Sequence, residues 1–143
     1  MKTNIIVAAV LILGSASLCA ASGEPNLRDG MWEITTSMEM PGMPAAVPPV
    51  KSTQCITKKN AVPQAQDLQN QDCTMSTPSI SGNTVTWTVD CKGEDGPVKG
   101  TGKITYNGDA FDGTLTMTMQ EPEHGAGVQI VQRMNGKRIG ECK

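Results

Sequence analysis

Three methionines, Met38, Met40 and Met43, fall within the short segment MEMPGM, and Met31, Met75, Met117, Met119 and Met134 are spread over the rest of the chain. A thioether is soft, neutral and never protonated, so a methionine cluster suits Cu(I) in an oxidising compartment. The competing reading is packing. With two Trp, one Tyr and one Phe in 143 residues, flexible methionine is the natural filler of core gaps, and Met38 and Met40 share strand parity with Trp32 and Ile34. Packing is therefore expected of Met38 and Met40, while Met43, beyond Pro41, is the methionine that a core explains least.

Other groups able to do chemistry are scarce. His124, in EPEHGAG, is the only histidine, and its glycine and acidic neighbours read as a solvated loop rather than a general base or metal ligand. Glu94/Asp95, Asp109/Asp112 and Glu121/Glu123 are neighbouring carboxylates, but each pair falls where a turn is expected and where Asp and Glu meet water. There is no glycine-rich phosphate loop, no G-x-S-x-G and no H-E-x-x-H. No enzyme and no cofactor are expected. Twelve basic against fourteen acidic residues, a net charge of −2 and no basic block exclude a phosphate-tracking surface, so nucleic acid is not an expected partner.

The cysteines carry the covalent chemistry. Ahead of them, Lys2 and the nine-residue apolar run Ile5 to Leu13, followed by the small residues of SASLCAASG, form a secretory signal peptide over residues 1–22. The run is too short to span a bilayer, which takes about 20 apolar residues, and no stable membrane insertion is expected. Cys19 is preceded by Leu18 rather than a small residue, which disfavours lipidation, so it is expected to be discarded with the signal. Four cysteines then remain in residues 23–143, read as one domain: Cys55, Cys73, Cys91 and Cys142, an even set in an exported chain. Their spacings contain no C-x2-C knuckle and only one histidine is present, so zinc is not expected.

The strands that must position these residues are legible as alternation. In TVTWTVDC, Val85, Trp87, Val89 and Cys91 share one face against Thr84, Thr86, Thr88 and Asp90. A turn at Ser81-Gly82-Asn83 would set Cys73 opposite Cys91, Met75 opposite Val89, Thr77 opposite Trp87 and Ser79 opposite Val85. That register selects Cys73–Cys91 and leaves Cys55–Cys142 by elimination. Trp32, Ile34, Met38 and Met40 likewise share a face of Met31 to Met40. Asn107-Gly108, taken as a two-residue turn, sets Ile104 opposite Phe111, Gly102 opposite Gly113, Gly100 opposite Leu115 and Val98 opposite Met117. A second such dipeptide, Asn135-Gly136, is expected to fold Gly127–Met134 back on Lys137–Cys142. A proline-rich connection runs from Pro41 to Pro49, and Thr57 to Asn70 has the composition of a short helix capped by Thr57 and interrupted by Pro63.

The expected fold is all-β and mainly antiparallel: about eight short strands in a meander forming a small barrel or sandwich, with one short helical segment and two disulfides. The segments GMWEITTSMEMPGMP, TQCITKKNAVPQ, TVTWTVDC, GTGKITYNGDAFDGTLTM and GKRIGEC resemble the secreted bacterial family known as domain of unknown function 3617 (DUF3617). The resemblance implies a small exported protein, periplasmic or secreted, with an antiparallel β fold and no catalytic residues to transfer. The functional expectation is a non-enzymatic binding or envelope interaction module whose partner is an unknown small molecule or envelope protein. Two narrower alternatives are a Met-rich Cu(I)-binding periplasmic protein using Met38, Met40 and Met43, and a carrier of a small apolar ligand in a β cavity lined by Met117 and Met119.

Overall fold

A computed structural model describes residues 23–42, 47–64, 72–93, 96–120 and 127–143. The expected signal peptide therefore lies outside the described residues, as do Met43, His124 and the carboxylate pairs Glu94/Asp95 and Glu121/Glu123. Eight strands form one antiparallel sheet: β1 (Gly30–Glu39), β2 (Val50–Ile56), β3 (Cys73–Met75), β4 (Ser79–Ser81), β5 (Thr84–Gly93), β6 (Gly96–Tyr106), β7 (Ala110–Met119) and β8 (Val128–Gly140). Their order is β2-β1-β8-β7-β6-β5-β3, with β4 also on β5. From β5 to β8 the chain is a simple meander, and the first strand then docks beside the last, between β8 and β2.

Among the described strands no hydrogen-bonded ladder joins β2 to β3 or β4, so the sheet is open and the expected closure into a barrel is not seen. One face is nevertheless turned inward. Register and the two-residue period align Trp87, Gly102 and Leu115 across β5, β6 and β7, and Tyr106, Phe111 and Gly136 across β6, β7 and β8. The buried core comprises Leu27, Trp32, Ile56, Ala61, Val85, Trp87, Tyr106 and Phe111. It gathers at one end of the sheet, where the Phe111 ring centroid lies 5.6 Å from those of both Trp32 and Tyr106.

The chain after β2 crosses this inner face. Lys58 N–H donates to Asp29 Oδ1, the buried Tyr106 hydroxyl donates to Ala61 O at 2.6 Å, and Pro63 and Gln64 arrive beside Met75 and Trp87. No helix occurs among the described residues, contrary to the expectation for Thr57 to Asn70, whose last six residues lie outside them. The Asn60 side chain accepts the Thr57 N–H at 2.6 Å, and Asn60 N–H donates to Thr57 O. This local turn takes the groups a helical first turn would use, and Pro63 has no N–H with which to continue one.

Two turns depart from the expected register. Cys73, Thr74 and Met75 pair with Cys91, Asp90 and Val89 as read from the sequence. Beyond Pro78, however, Ile80 rather than Ser79 faces Val85. Proline cannot donate to the ladder, and the extra residue flips the parity, so Ile80 joins the core. Gly82, at φ 57°, takes the first central place of the following turn, which favours glycine. At the next turn Phe111 faces Tyr106, Ile104 faces Gly113, Gly102 faces Leu115, Gly100 faces Met117 and Val98 faces Met119, two residues from expectation with every face preserved. The loop is wider because Gly108, at φ 72°, is held by the N-terminal segment: its N–H donates to Asn26 O, and its carbonyl accepts from Arg28 N–H.

Asn135-Gly136 is not a turn at all. Strand β8 runs through it, with Gly136 opposite Ile34 on one side and Phe111 on the other. A Cβ there would collide with the Phe111 ring, so this glycine serves close approach. The disulfides Cys73–Cys91 and Cys55–Cys142 complete the frame. Met31 of β1 pairs with Cys55 on one side and Gly140 on the other, so the second bridge ties the end of β2 to the segment after β8 across the strand between them.

Candidate functional site

Burial fades along the strands away from the aromatic end. On β1, Trp32 is fully buried, Ile34 is half-buried and Met38 is 45% exposed. The shared face expected of Trp32, Ile34, Met38 and Met40 therefore does not make Met38 a core residue. Met38 pairs with Gln132 of β8, and Met40, half-buried, follows the end of β1. With Met43 outside the described residues, no geometry joins the three methionines. Among the described residues no group of three or more His, Cys, Asp or Glu side chains is placed to hold a metal ion. Of the remaining carboxylates, Asp109 pairs with Arg28 at 2.9 Å, and Asp112 lies exposed on β7 opposite Thr105 and Asn135.

Where burial fades, the inner face holds a cavity of about 280 Å³. Strand β5 supplies Trp87, Val89 and Cys91, alternate residues on one face. Strand β6 supplies Val98 and Gly100, β7 supplies Leu115 and Met117, and β3 supplies Met75. Pro63 and Gln64, at the end of the crossing segment, close another side. Cys91 is bonded to Cys73, so the bridge at the cavity wall fixes the short strand β3 against β5.

Gly100 contributes no side chain to this space. A Cβ built on Gly100 would meet Val89, Leu115 and Met117 at 3.6 to 3.8 Å, ordinary contact distances, so the cavity begins where the glycine backbone stops. Among the described residues the lining carries no ionisable side chain, since Asp90 and Lys99, an ion pair at 3.9 Å, occupy the alternate positions that face outward. The Tyr106 phenol is pushed up to about 12 by burial, and it does not line the cavity. With no nucleophile, acid or base at its wall among the described residues, the cavity offers apolar contact and shape. Met117 is placed as a lining residue and Met119 is not. Sequence reasoning missed Pro63 and Gln64, read as part of a helix. It also missed the meaning of Gly100, although its pairing with large residues was the available signal.

A family model described as "Protein of unknown function (DUF3617)" matches residues 27–142, and the chain belongs to that family. No curated protein and no solved structure matches the chain.

Proposed function

Starting from membership of a family with no described activity, we propose that the protein is an exported, non-enzymatic carrier of one small apolar molecule, held in the inner-face cavity. The observation that carries this reading is the cavity itself: about 280 Å³ walled by Met75, Trp87, Val89, Val98, Leu115 and Met117, with no charged side chain among its described lining. Apolar cavities of about half that volume stay dry and take up a molecule the size of benzene, so this one has room for about ten carbons. Methionine at two wall positions adds adaptability, because an unbranched thioether re-packs around different shapes. Leaving the space unfilled forgoes dispersion contacts that a small domain would otherwise gain, a cost that a bound ligand recovers. Export to a bacterial periplasm, or secretion, is supported by the reading of residues 1–22 as a signal peptide and by two disulfides, which persist in oxidising compartments.

The test uses protein recovered from the periplasm of an expression host and titrated with n-octanol in a calorimeter, with tryptophan emission followed in parallel. Saturable one-to-one binding with a negative heat-capacity change is expected. The variant Gly100→Ile, which suits a strand and fills the space, is expected to fold and to lose the binding. Absence of binding by the wild type, or equal binding by Gly100→Ile, overturns the proposal.

A further inference from the structure

The apolar lining does not stop at the cavity. Met119 stands two residues beyond Met117 on β7, opposite Val98 on one side and Val128 on the other, while Ile130 lies opposite Met117. By the two-residue period all of them share the inner face. At the opposite ends of β7 and β6, Phe111 and Tyr106 are 5% and 3% exposed, whereas Met119 and Val128 are 36% and 43% exposed. The neighbouring polar residues Lys99, Thr118 and Gln129 fall in one register row that faces the other way, so no charge among the described residues interrupts the strip. The result is a closed apolar end continuous with an open apolar runway that crosses three strands, about 10 Å at the usual strand spacing.

We infer that the ligand is a single unbranched hydrocarbon chain longer than the cavity, with its inner end against Trp87 and the remainder laid over Met119, Val128 and Ile130. This rests on the carrier reading and specifies its ligand class. A compact ring system would fill the cavity and leave the runway bare, whereas a narrow chain covers both. Because neither cavity nor runway presents a charge among the described residues, the polar end of the chain is placed in water beyond the strand ends, and recognition is by chain length rather than by head group.

A homologous series of n-alkanols from hexanol to tetradecanol, titrated calorimetrically, decides the matter. Each added methylene is expected to tighten binding by about fourfold, and the gain is expected to persist beyond decanol, past the length the cavity holds. The double variant Met119→Gln, Val128→Thr keeps strand-compatible residues at exposed positions. It is expected to bind hexanol and octanol as the wild type does, and tetradecanol at least about tenfold more weakly. A wild-type series that levels off at decanol overturns the inference while leaving the carrier reading intact. So does an unchanged tetradecanol affinity in the variant. A variant that converts a dimer to a monomer in sedimentation without changing alkanol affinity overturns it in favour of a second copy of the chain on the runway. Failure of the short alkanols to bind the wild type removes the carrier reading, and the inference with it.

Discussion

The indole of Trp87 occupies the place where a β-carbon at Gly102 would stand, directly across the β5–β6 pair. Two residues along the same strand, a β-carbon at Gly100 would meet only ordinary contacts, and Gly100 lines the cavity, so the difference between these glycines separates packed core from cavity wall. Trp87 is 8% exposed and its ring belongs to both, so Gly102 sets how deeply the cavity floor sits.

The two glycines should respond in opposite ways to one added methyl group. Gly102→Ala must displace Trp87 or open the β5–β6 ladder, and overpacking of this kind costs about 1 to 3 kcal/mol. Gly100→Ala meets only ordinary contacts and restricts the unfolded chain, so it should leave stability unchanged or raise it by up to about 1 kcal/mol. Thermal melts of both variants decide the point, and similar losses at both positions would contradict the geometry.

How much of this was legible in the sequence depended on whether the deciding partner was near in the chain. Alternation from Thr84 to Cys91 revealed strand, face and the Cys73 pairing because one buried side imposes a two-residue period. The Asn107-Gly108 turn was legible as a turn but not in register, since the residues that widen it, Asn26 and Arg28, lie some 80 positions away. Gly136 shows the opposite failure: a glycine that frees a turn and a glycine that admits a ring look alike until Phe111 is placed beside it. Of the cavity, Met117 was legible as a lining residue and Met119 was wrongly paired with it, while most of its walls, drawn from four strands and from a segment whose composition suggested a helix, were not legible for the same reason.

The two disulfides should differ in what they contribute. Cys55–Cys142 closes a sequence separation of 87 residues and Cys73–Cys91 one of 18, which in the chain-entropy account correspond to about 4.6 and about 3 kcal/mol. Replacing Cys55 and Cys142 by serine should therefore lower the denaturation midpoint more than replacing Cys73 and Cys91. The second change should instead act on ligand binding, because it releases the short strand β3, which carries Met75 at the cavity wall. Urea titrations and n-octanol calorimetry on both double variants separate the two effects.

Tyr106 predicts an alkaline limit. Its hydroxyl donates to Ala61 O at 2.6 Å, and burial holds its pKa at about 12 against 10.0 in the unfolded chain. The proton is thus retained in the folded state where the unfolded state has lost it. The stabilisation is complete below pH 10 and disappears as pH rises from 10 to 12, by an amount on the order of 2 kcal/mol. Tyr106→Phe should be less stable at neutral pH, because the Ala61 carbonyl loses its donor, and should show a flatter profile between pH 10 and 12. Equal slopes in the two proteins would place the alkaline transition elsewhere.

Methionine carries the last prediction, since position and not residue type now separates its roles. Met38, 45% exposed near the end of β1, should cost less than about 1 kcal/mol when replaced by alanine, not the 2 to 5 kcal/mol of a buried methionine. Met75 is half-buried, packs against the core and lines the cavity, so Met75→Ala should cost about 2 kcal/mol and also alter n-octanol affinity. Copper content provides the control on the other chemistry a thioether offers. The triple variant Met38→Ala, Met40→Ala, Met43→Ala should purify with the same copper content as the wild type after exposure to Cu(I) and should bind n-octanol unchanged. A stoichiometric Cu(I) complex in the wild type that disappears in the triple variant would move the functional site from the cavity to MEMPGM, where soft sulfur ligands rather than apolar volume would then explain the chain.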